Sequence, residues 1–332
     1  MYTETVPAAI PPPASTGTLP NKARVRALID SAYETFKTND EGENADYYPA
    51  LARVPRNLFG LCLVSANGLV YAAGDADYPF TIMSVSKPFV FALVCQALGP
   101  QQARQKLGVN STGLAFNSIM AIELNADRTM NPMVNAGAIA TTSLIPGETA
   151  EEKWRFIQTG LARFAGRDLT VNEEVYASAS ASNHRNQGIA QVLHSYKRLY
   201  FDPLQSVDLY TRQCSLEVTA RDLAVMAATL ADGGVNPITK EPVINPEYCQ
   251  YVLAVMATAG MYETSGDWLY DVGLPGKSGV GGGIITVSPG KGGLATFAPP
   301  LDKAGNSVKG QLATRYLSEN LGLNLLISKA QV

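Results

Sequence analysis

The stretch Thr81-Ile-Met-Ser84-Val-Ser-Lys87-Pro-Phe-Val-Phe-Ala-Leu-Val-Cys95 constrains this chain more than any other. Every position from Phe89 to Cys95 is apolar. A helix that is apolar all round offers no face to water, so other elements must enclose it. The 332 residues are enough to do so, as one large domain or two closely packed ones. At the mouth of this helix stands Ser84-x-x-Lys87. Positions three apart share a helical face, which sets Lys87 over the Ser84 hydroxyl. A buried amine beside a serine hydroxyl is the minimal kit for acyl transfer: the neutral amine takes the proton and the oxygen attacks. The helix start adds free N–H groups and partial positive charge beside that oxygen. A free lysine titrates at about 10.4, so a base working near neutrality needs that value brought down by about 3, and burial acts in that direction. The spacing alone is weak, because about one Ser-x-x-Lys is expected by chance in a chain this long. A second one, Ser288-Pro-Gly-Lys291, reads as a turn. The buried-helix setting is what singles out the first.

The bulk properties narrow the partners. Apolar residues make up 46% of the chain and mean hydropathy is +0.01, as in a soluble globular protein. A net charge of −3 and an isoelectric point near 5.5 argue against nucleic acid or an anionic membrane as partner. Cys62, Cys95, Cys214 and Cys249 stand singly in apolar surroundings and read as reduced core thiols. Two histidines, His184 and His194, are too few for a His-rich metal centre, and no metal or cofactor is expected. Neither an export-signal pattern nor an apolar run of membrane-spanning length is seen, so the expected location is cytoplasmic.

Residues 1–21, rich in Pro, Ala and Thr, read as a disordered or extended tail, and 22–332 as a single catalytic unit. Helical periodicity runs over 22–38 through Val25, Leu28, Ile29, Ala32 and Phe36. The turn-rich segment 40–53 contains Asp46-Tyr47-Tyr48-Pro49, which reads as packing or as part of a lid. Apolar runs at 58–65 and 69–73 flank Ala66-Asn67-Gly68, a hairpin signal. Helices are expected at 99–107, at 151–164 closed by Gly166, at 187–199 and at 246–258. Another is opened by Thr219-Ala-Arg-Asp222 and stopped by Gly233-Gly234. Strands return at 281–288 and 294–298 around Pro289-Gly290, and a terminal helix covers about 309–321. The fold class that follows is α+β. An antiparallel sheet is built from both chain ends (about 22–80 and 260–332), with flanking helices and a mainly helical insertion at about 81–259. The Ser84 helix sits at the seam.

Gly276-Lys277-Ser278-Gly279-Val280-Gly281-Gly282-Gly283 is not a phosphate loop, since Asp271 stands where such a loop needs glycine and a strand follows it. Its glycines suit a strand edge that something approaches closely. A backbone N–H near Val280, with that of Ser84, would form an oxyanion hole.

Ser84-x-x-Lys87, a later Tyr and Lys277-Ser278-Gly279 resemble the three motifs of the serine β-lactamase and penicillin-binding superfamily. More closely, a series of blocks resembles the serine-dependent glutaminases. The blocks are Ala45-Asp-Tyr47, Phe80-Thr-Ile-Met-Ser84-Val-Ser-Lys87, Asn131-Pro-Met-Val-Asn135-Ala-Gly-Ala-Ile139, Arg185-Asn186, Val207-Asp-Leu-Tyr210, Ala259-Gly-Met-Tyr262-Glu-Thr-Ser-Gly-Asp-Trp268 and the run 276–283. The resemblance implies a β-lactamase-like fold and hydrolysis of L-glutamine to L-glutamate and ammonia. It implies Ser84 as nucleophile, Lys87 as its base, and Tyr262 passing the proton to the leaving ammonia. It puts Tyr47, Asn135, Asn186 and Tyr210 in the pocket, the N–H groups of Ser84 and Val280 at the oxyanion, and the chain in a homodimer or homotetramer.

Two positions depart from the family pattern. Met83 precedes the nucleophile where Gln is usual. Ala179 stands where the family has a Glu that helps bind the substrate amino group. A charge-assisted bond of that kind is worth about 1.5–3 kcal/mol. Either Glu173 or Glu174 reaches in, or glutamine binds more weakly, or selectivity has moved. Two alternatives follow: a penicillin-recognising type of serine hydrolase, and a non-catalytic amino-acid-binding relative. Of the remaining residues, His184 reads as lying at the surface or behind the site, Cys95 and Cys214 as core, and Glu263 and Asp267 as structural hydrogen-bonders.

Overall fold

The computed structural model describes residues 17–327. Residues 1–16, most of the expected tail, lie outside the described residues. Residues 17–21 are not a free tail, because Leu19 packs against the core on the outer side of the sheet.

The strands in chain order are β1 (Gly60–Ser65), β2 (Val70–Gly74), β3 (Phe80–Thr81), β4 (Glu217–Val218), β5 (Gly276–Ser278), β6 (Gly283–Ser288) and β7 (Gly292–Phe297). Five of them form one antiparallel sheet in the order β2-β1-β7-β6-β5. β1 pairs with β7 from Gly60 opposite Phe297 to Ser65 opposite Gly292, so both ends of the chain complete the sheet, as expected. β1 is buried along its whole length because both faces of the sheet are covered. Leu61 and Leu63 face the core made with the Lys22–Phe36 and Val308–Leu321 helices, while Cys62 and Val64 face the larger core. β3 and β4 form a separate two-stranded ladder.

The Ala220–Ala231 helix, inside the segment expected as an insertion, lies on β1, β6 and β7. Glycine makes that approach possible: a Cβ at Gly293 would sit 2.3 Å from the Ala228 nitrogen. Thr219 and Asp222 close its start with a reciprocal capping box.

The central helix, Ser86–Leu98, is buried from Ser86 to Cys95, as its all-round apolar run requires. It packs against the Pro100–Leu107, Asn135–Ser143, Ala150–Ala165 and Pro246–Ala259 helices. Phe89 meets Phe164 with ring centroids 5.0 Å apart. Ser84 itself is not in the α-helix; it sits in a 3₁₀ turn, Met83–Val85, that leads into it. Pro88 is accommodated because it is the third helical residue, where an N–H has no intrahelical acceptor.

Sequence reading passed over the Asn135–Ser143, Glu173–Ala181, Pro203–Cys214 and Ser265–Val272 helices, and the helix expected at 187–199 is His184–Ser195. Asn135–Ser143 is buried at every position, so its small residues show no amphipathic period. Pro203–Cys214 did carry a start signal: Asp202 caps it and Pro203 opens it.

Candidate active site

A cavity of about 170 Å³ opens beside Ser84. Ser84 is 7 % exposed at its wall. The preceding Met83 has φ +48°, a left-handed conformation uncommon outside glycine, so the backbone is strained next to the hydroxyl. The glycine-rich edge after β5 runs alongside this turn. A Cβ at Gly279 would lie 3.1 Å from the Ile82 carbonyl oxygen and 3.3 Å from the Ser84 nitrogen. The close approach expected of these glycines is therefore to the nucleophile turn. Among the described residues no backbone acceptor takes the N–H of Ser84 or of Val280, and both residues line the cavity.

Lys87 is 1 % exposed. Its amine donates to the Met133 carbonyl at 3.1 Å and to Asn135 Oδ1 at 2.9 Å. Burial brings its pKa down to about 7. A neutral amine has two hydrogens and one lone pair; the two acceptors engage both hydrogens, which leaves the lone pair to receive a proton. The Asn131–Gly137 block explains why those acceptors are there. A Cβ at Gly137 would lie 1.9 Å from the Asn131 carbonyl oxygen, so only glycine lets the loop fold back on the helix start. Asn131 Oδ1 in turn accepts from the Met133 N–H at 3.0 Å.

Asn135 begins a directional chain of amides. Its Oδ1 also accepts from the Tyr210 hydroxyl at 3.2 Å. Its Nδ2 donates to Asn186 Oδ1 at 3.1 Å, and Asn186 Nδ2 donates to Asn183 Oδ1 at 2.7 Å. Asn183 Nδ2 donates to Thr211 Oγ1 at 2.6 Å, which donates to the Val207 carbonyl at 2.8 Å. The direction follows from the ends, since an amine presents hydrogens and a carbonyl can only accept.

Tyr262 lies behind the cavity wall, fully enclosed, at φ +57°. Its hydroxyl donates to the Ser278 carbonyl at 3.0 Å, and its ring stands 4.7 Å from that of Phe116. Burial holds its pKa well above that of an ordinary tyrosine, offset in part by hydrogen bonding from Ser84. The Lys277 amine sits 4.4 Å from the Tyr262 ring centroid and donates to the Gly260 and Ser278 carbonyls at 2.9 and 2.6 Å. Burial, and after it the charge of Lys87, pushes the Lys277 pKa well below the usual lysine value.

Six of the residues expected from sequence, Tyr47, Ser84, Asn135, Asn186, Tyr210 and Val280, thus line one cavity. Lys87 and Tyr262 stand immediately behind them, bonded to Asn135 and to the 276–278 strand. Tyr47 is at the rim, 51 % exposed, its ring edge-on to Phe116. Ala179 is in the wall, and neither Glu173 nor Glu174 reaches in: both are exposed, and Glu174 pairs with Arg53. His184 is exposed outside the cavity. Glu263 and Asp267 are exposed and, among the described residues, hold no side-chain hydrogen bond, so their expected structural role is not met. Sequence reading missed Asn183, Thr211 and the wall position of Cys214, while Tyr48, read with Tyr47 as packing or part of a lid, lines the cavity beside it. Spacing was the available signal: Asn183 lies three residues before Asn186, and Cys214 four after Tyr210. Among the described residues no group of three His, Cys, Asp or Glu could hold a metal ion.

The family model for glutaminase matches residues 42–326. "Glutaminase 2" of Yersinia pestis is 65% identical over 315 residues, which cover 95% of this chain and 93% of that protein. The solved structure of a "probable glutaminase ybaS" superposes with a TM-score of 0.92 at 45% identity, covering 93% of this chain and all 100% of the other. That of a "probable glutaminase from Bacillus subtilis", complexed with 6-diazo-5-oxo-L-norleucine, superposes with a TM-score of 0.81 at 30% identity, covering 92% and 96%.

Proposed function

Because the chain belongs to the glutaminase family, amidohydrolases of β-lactamase-like α+β fold, we propose that it hydrolyses L-glutamine through an acyl-enzyme on Ser84. Family membership speaks against a penicillin-recognising hydrolase, and turnover of L-glutamine separates the chain from a non-catalytic binder.

In the proposed reaction the neutral Lys87 amine takes the Ser84 proton as Oγ attacks the side-chain carboxamide carbon. The carbonyl oxygen becomes negative facing the N–H groups of Ser84 and Val280; one such donor contributes about 3–4 kcal/mol to an acyl-transfer transition state. Collapse breaks the C–N bond, and Tyr262 passes the proton held by Lys87 to the leaving nitrogen, which departs as ammonia. Water then attacks the γ-glutamyl ester, again losing a proton to Lys87, and glutamate leaves as Ser84 recovers its hydrogen. Tyr47, Asn135, Asn186 and Tyr210 hold the amino-acid end. The observation that carries this reading is the Lys87 amine: enclosed, poised near neutrality, and engaged at two acceptors. Ammonia release from L-glutamine tests it, with a Ser84→Ala variant expected to lose about 10⁶-fold in kcat. Equal release from the variant would overturn it.

We further propose a cytoplasmic homodimer or homotetramer. The four cysteines are free and buried, as suits a reducing compartment. Met120 and Leu124, exposed on one short helix, supply apolar surface for a second copy. No described helix is long and apolar enough to cross a membrane. Sedimentation at graded concentration measures the assembly; a monomer throughout would exclude it.

A further inference from the structure

The wall of the cavity contains no carboxylate. The formal charge among its lining residues belongs to Arg185, whose Nε donates to the Asn117 carbonyl at 2.9 Å. Position 179, facing the ligand space, is a buried alanine. Acidic groups near in sequence are engaged or turned to solvent: Glu174 pairs with Arg53, Asp208 accepts from the Tyr176 hydroxyl, and Asp46 and Glu173 are exposed outside the lining.

The amides deepen this asymmetry. Asn135 Oδ1 already takes two donors, Lys87 and Tyr210. Asn186 Oδ1 takes Asn135 Nδ2, and Asn183 Oδ1 takes Asn186 Nδ2. Each Nδ2 has a second hydrogen beyond the one used in the chain. The wall offers donors from these second hydrogens, and its remaining acceptors are neutral: the second lone pairs of Asn186 and Asn183 Oδ1, the Asn117 side chain and the hydroxyls of Tyr48 and Ser182. None carries the negative charge that would pair with an ammonium ion, and the charge that is in the lining, on the exposed Arg185, has the same sign.

We infer that this site recognises its substrate by a carboxylate and a terminal carboxamide, makes no ionic contact to an α-ammonium group, and so also hydrolyses terminal amides of carboxylic acids that lack a charged amine. Position 179 is the specificity determinant. The inference rests on the acyl-enzyme reading above and extends its substrate class; the bonds made and broken are those already described for glutamine.

The test compares ammonia release from L-glutamine and from 4-carbamoylbutanoate, which is glutamine without its amino group. A site built to bond an amine rejects the analogue lacking it by about 10⁴-fold. Here kcat/KM for the two amides is expected to agree within about a hundredfold, and a larger preference for L-glutamine overturns the inference. Ala179→Glu is expected to raise the preference for L-glutamine by about ten- to a hundredfold, the worth of one charge-assisted bond. An unchanged ratio in a folded, active variant would also count against it. The wild-type ratio decides the matter if the variant does not fold. Turnover of L-glutamine alone removes only this inference, whereas release from neither amide removes the acyl-enzyme reading as well.

Discussion

Lys87 ties catalysis to pH in a definite direction. The working form is the neutral amine, and burial sets its pKa at about 7. We expect kcat/KM for L-glutamine to rise with pH and level off once pH passes about 7, measured as initial rates of ammonia release. A flat profile between pH 6 and 8 would contradict the assignment. The same shift affects stability. The unfolded chain keeps this proton up to the ordinary lysine value of 10.5, while the fold releases it at about 7. Between those values the unfolded state binds more protons, so this group makes the fold more stable as pH rises, with its full penalty below about 7. Ser84 and Lys87 were legible in the sequence because spacing and an apolar flank mark them. Asn183 and Cys214 carried only a weak signal, their helical spacing from Asn186 and Tyr210, since Asn and Cys occur for many reasons and packing is what turns these two to the cavity.

At the scale of elements, glycines and caps separate function from stability. Gly137→Ala would put a methyl group 1.9 Å from the Asn131 carbonyl oxygen, so the 131–137 loop must move. Overpacking of this kind costs about 1–3 kcal/mol. The loop carries the Met133 carbonyl and Asn135, which hold the Lys87 amine, so activity should fall about a hundredfold as that amine shifts. A thermal melt and a kcat measurement together check it. Thr149→Ala is the contrast. Thr149 and Glu152 cap the Ala150–Ala165 helix reciprocally, away from the cavity lining. Its loss should cost about 1 kcal/mol, lower Tm by about 2 °C, and leave kcat/KM unchanged. The Ala220–Ala231 helix was readable because its cap acts within four residues. Asn135–Ser143 was not, since complete burial erases the period that reveals a surface helix.

At the scale of the whole molecule, the sheet joins the two ends of the chain and the Ala220–Ala231 helix joins the sheet to the helical segment. We expect residues 22–327 to unfold as one unit, in a single calorimetric transition that reductant does not shift, because the four cysteines are free. Two separated transitions would instead mark the sheet and helical parts as independent. By itself the sequence determined the hairpin, the Thr219-capped helix, the two-ended sheet and a buried helix with a serine and a lysine at its mouth. Turn residues, caps and periodicity act over short spans, so they are written locally. Only the tertiary structure decided that the Lys87 amine meets Asn135 across 48 positions and that Asn135 meets Asn186 across another 51. It also decided that neither glutamate of the 173–181 helix lines the cavity. Those relations depend on how helices of similar local character stack, which is settled by packing shape rather than by any signal within a segment.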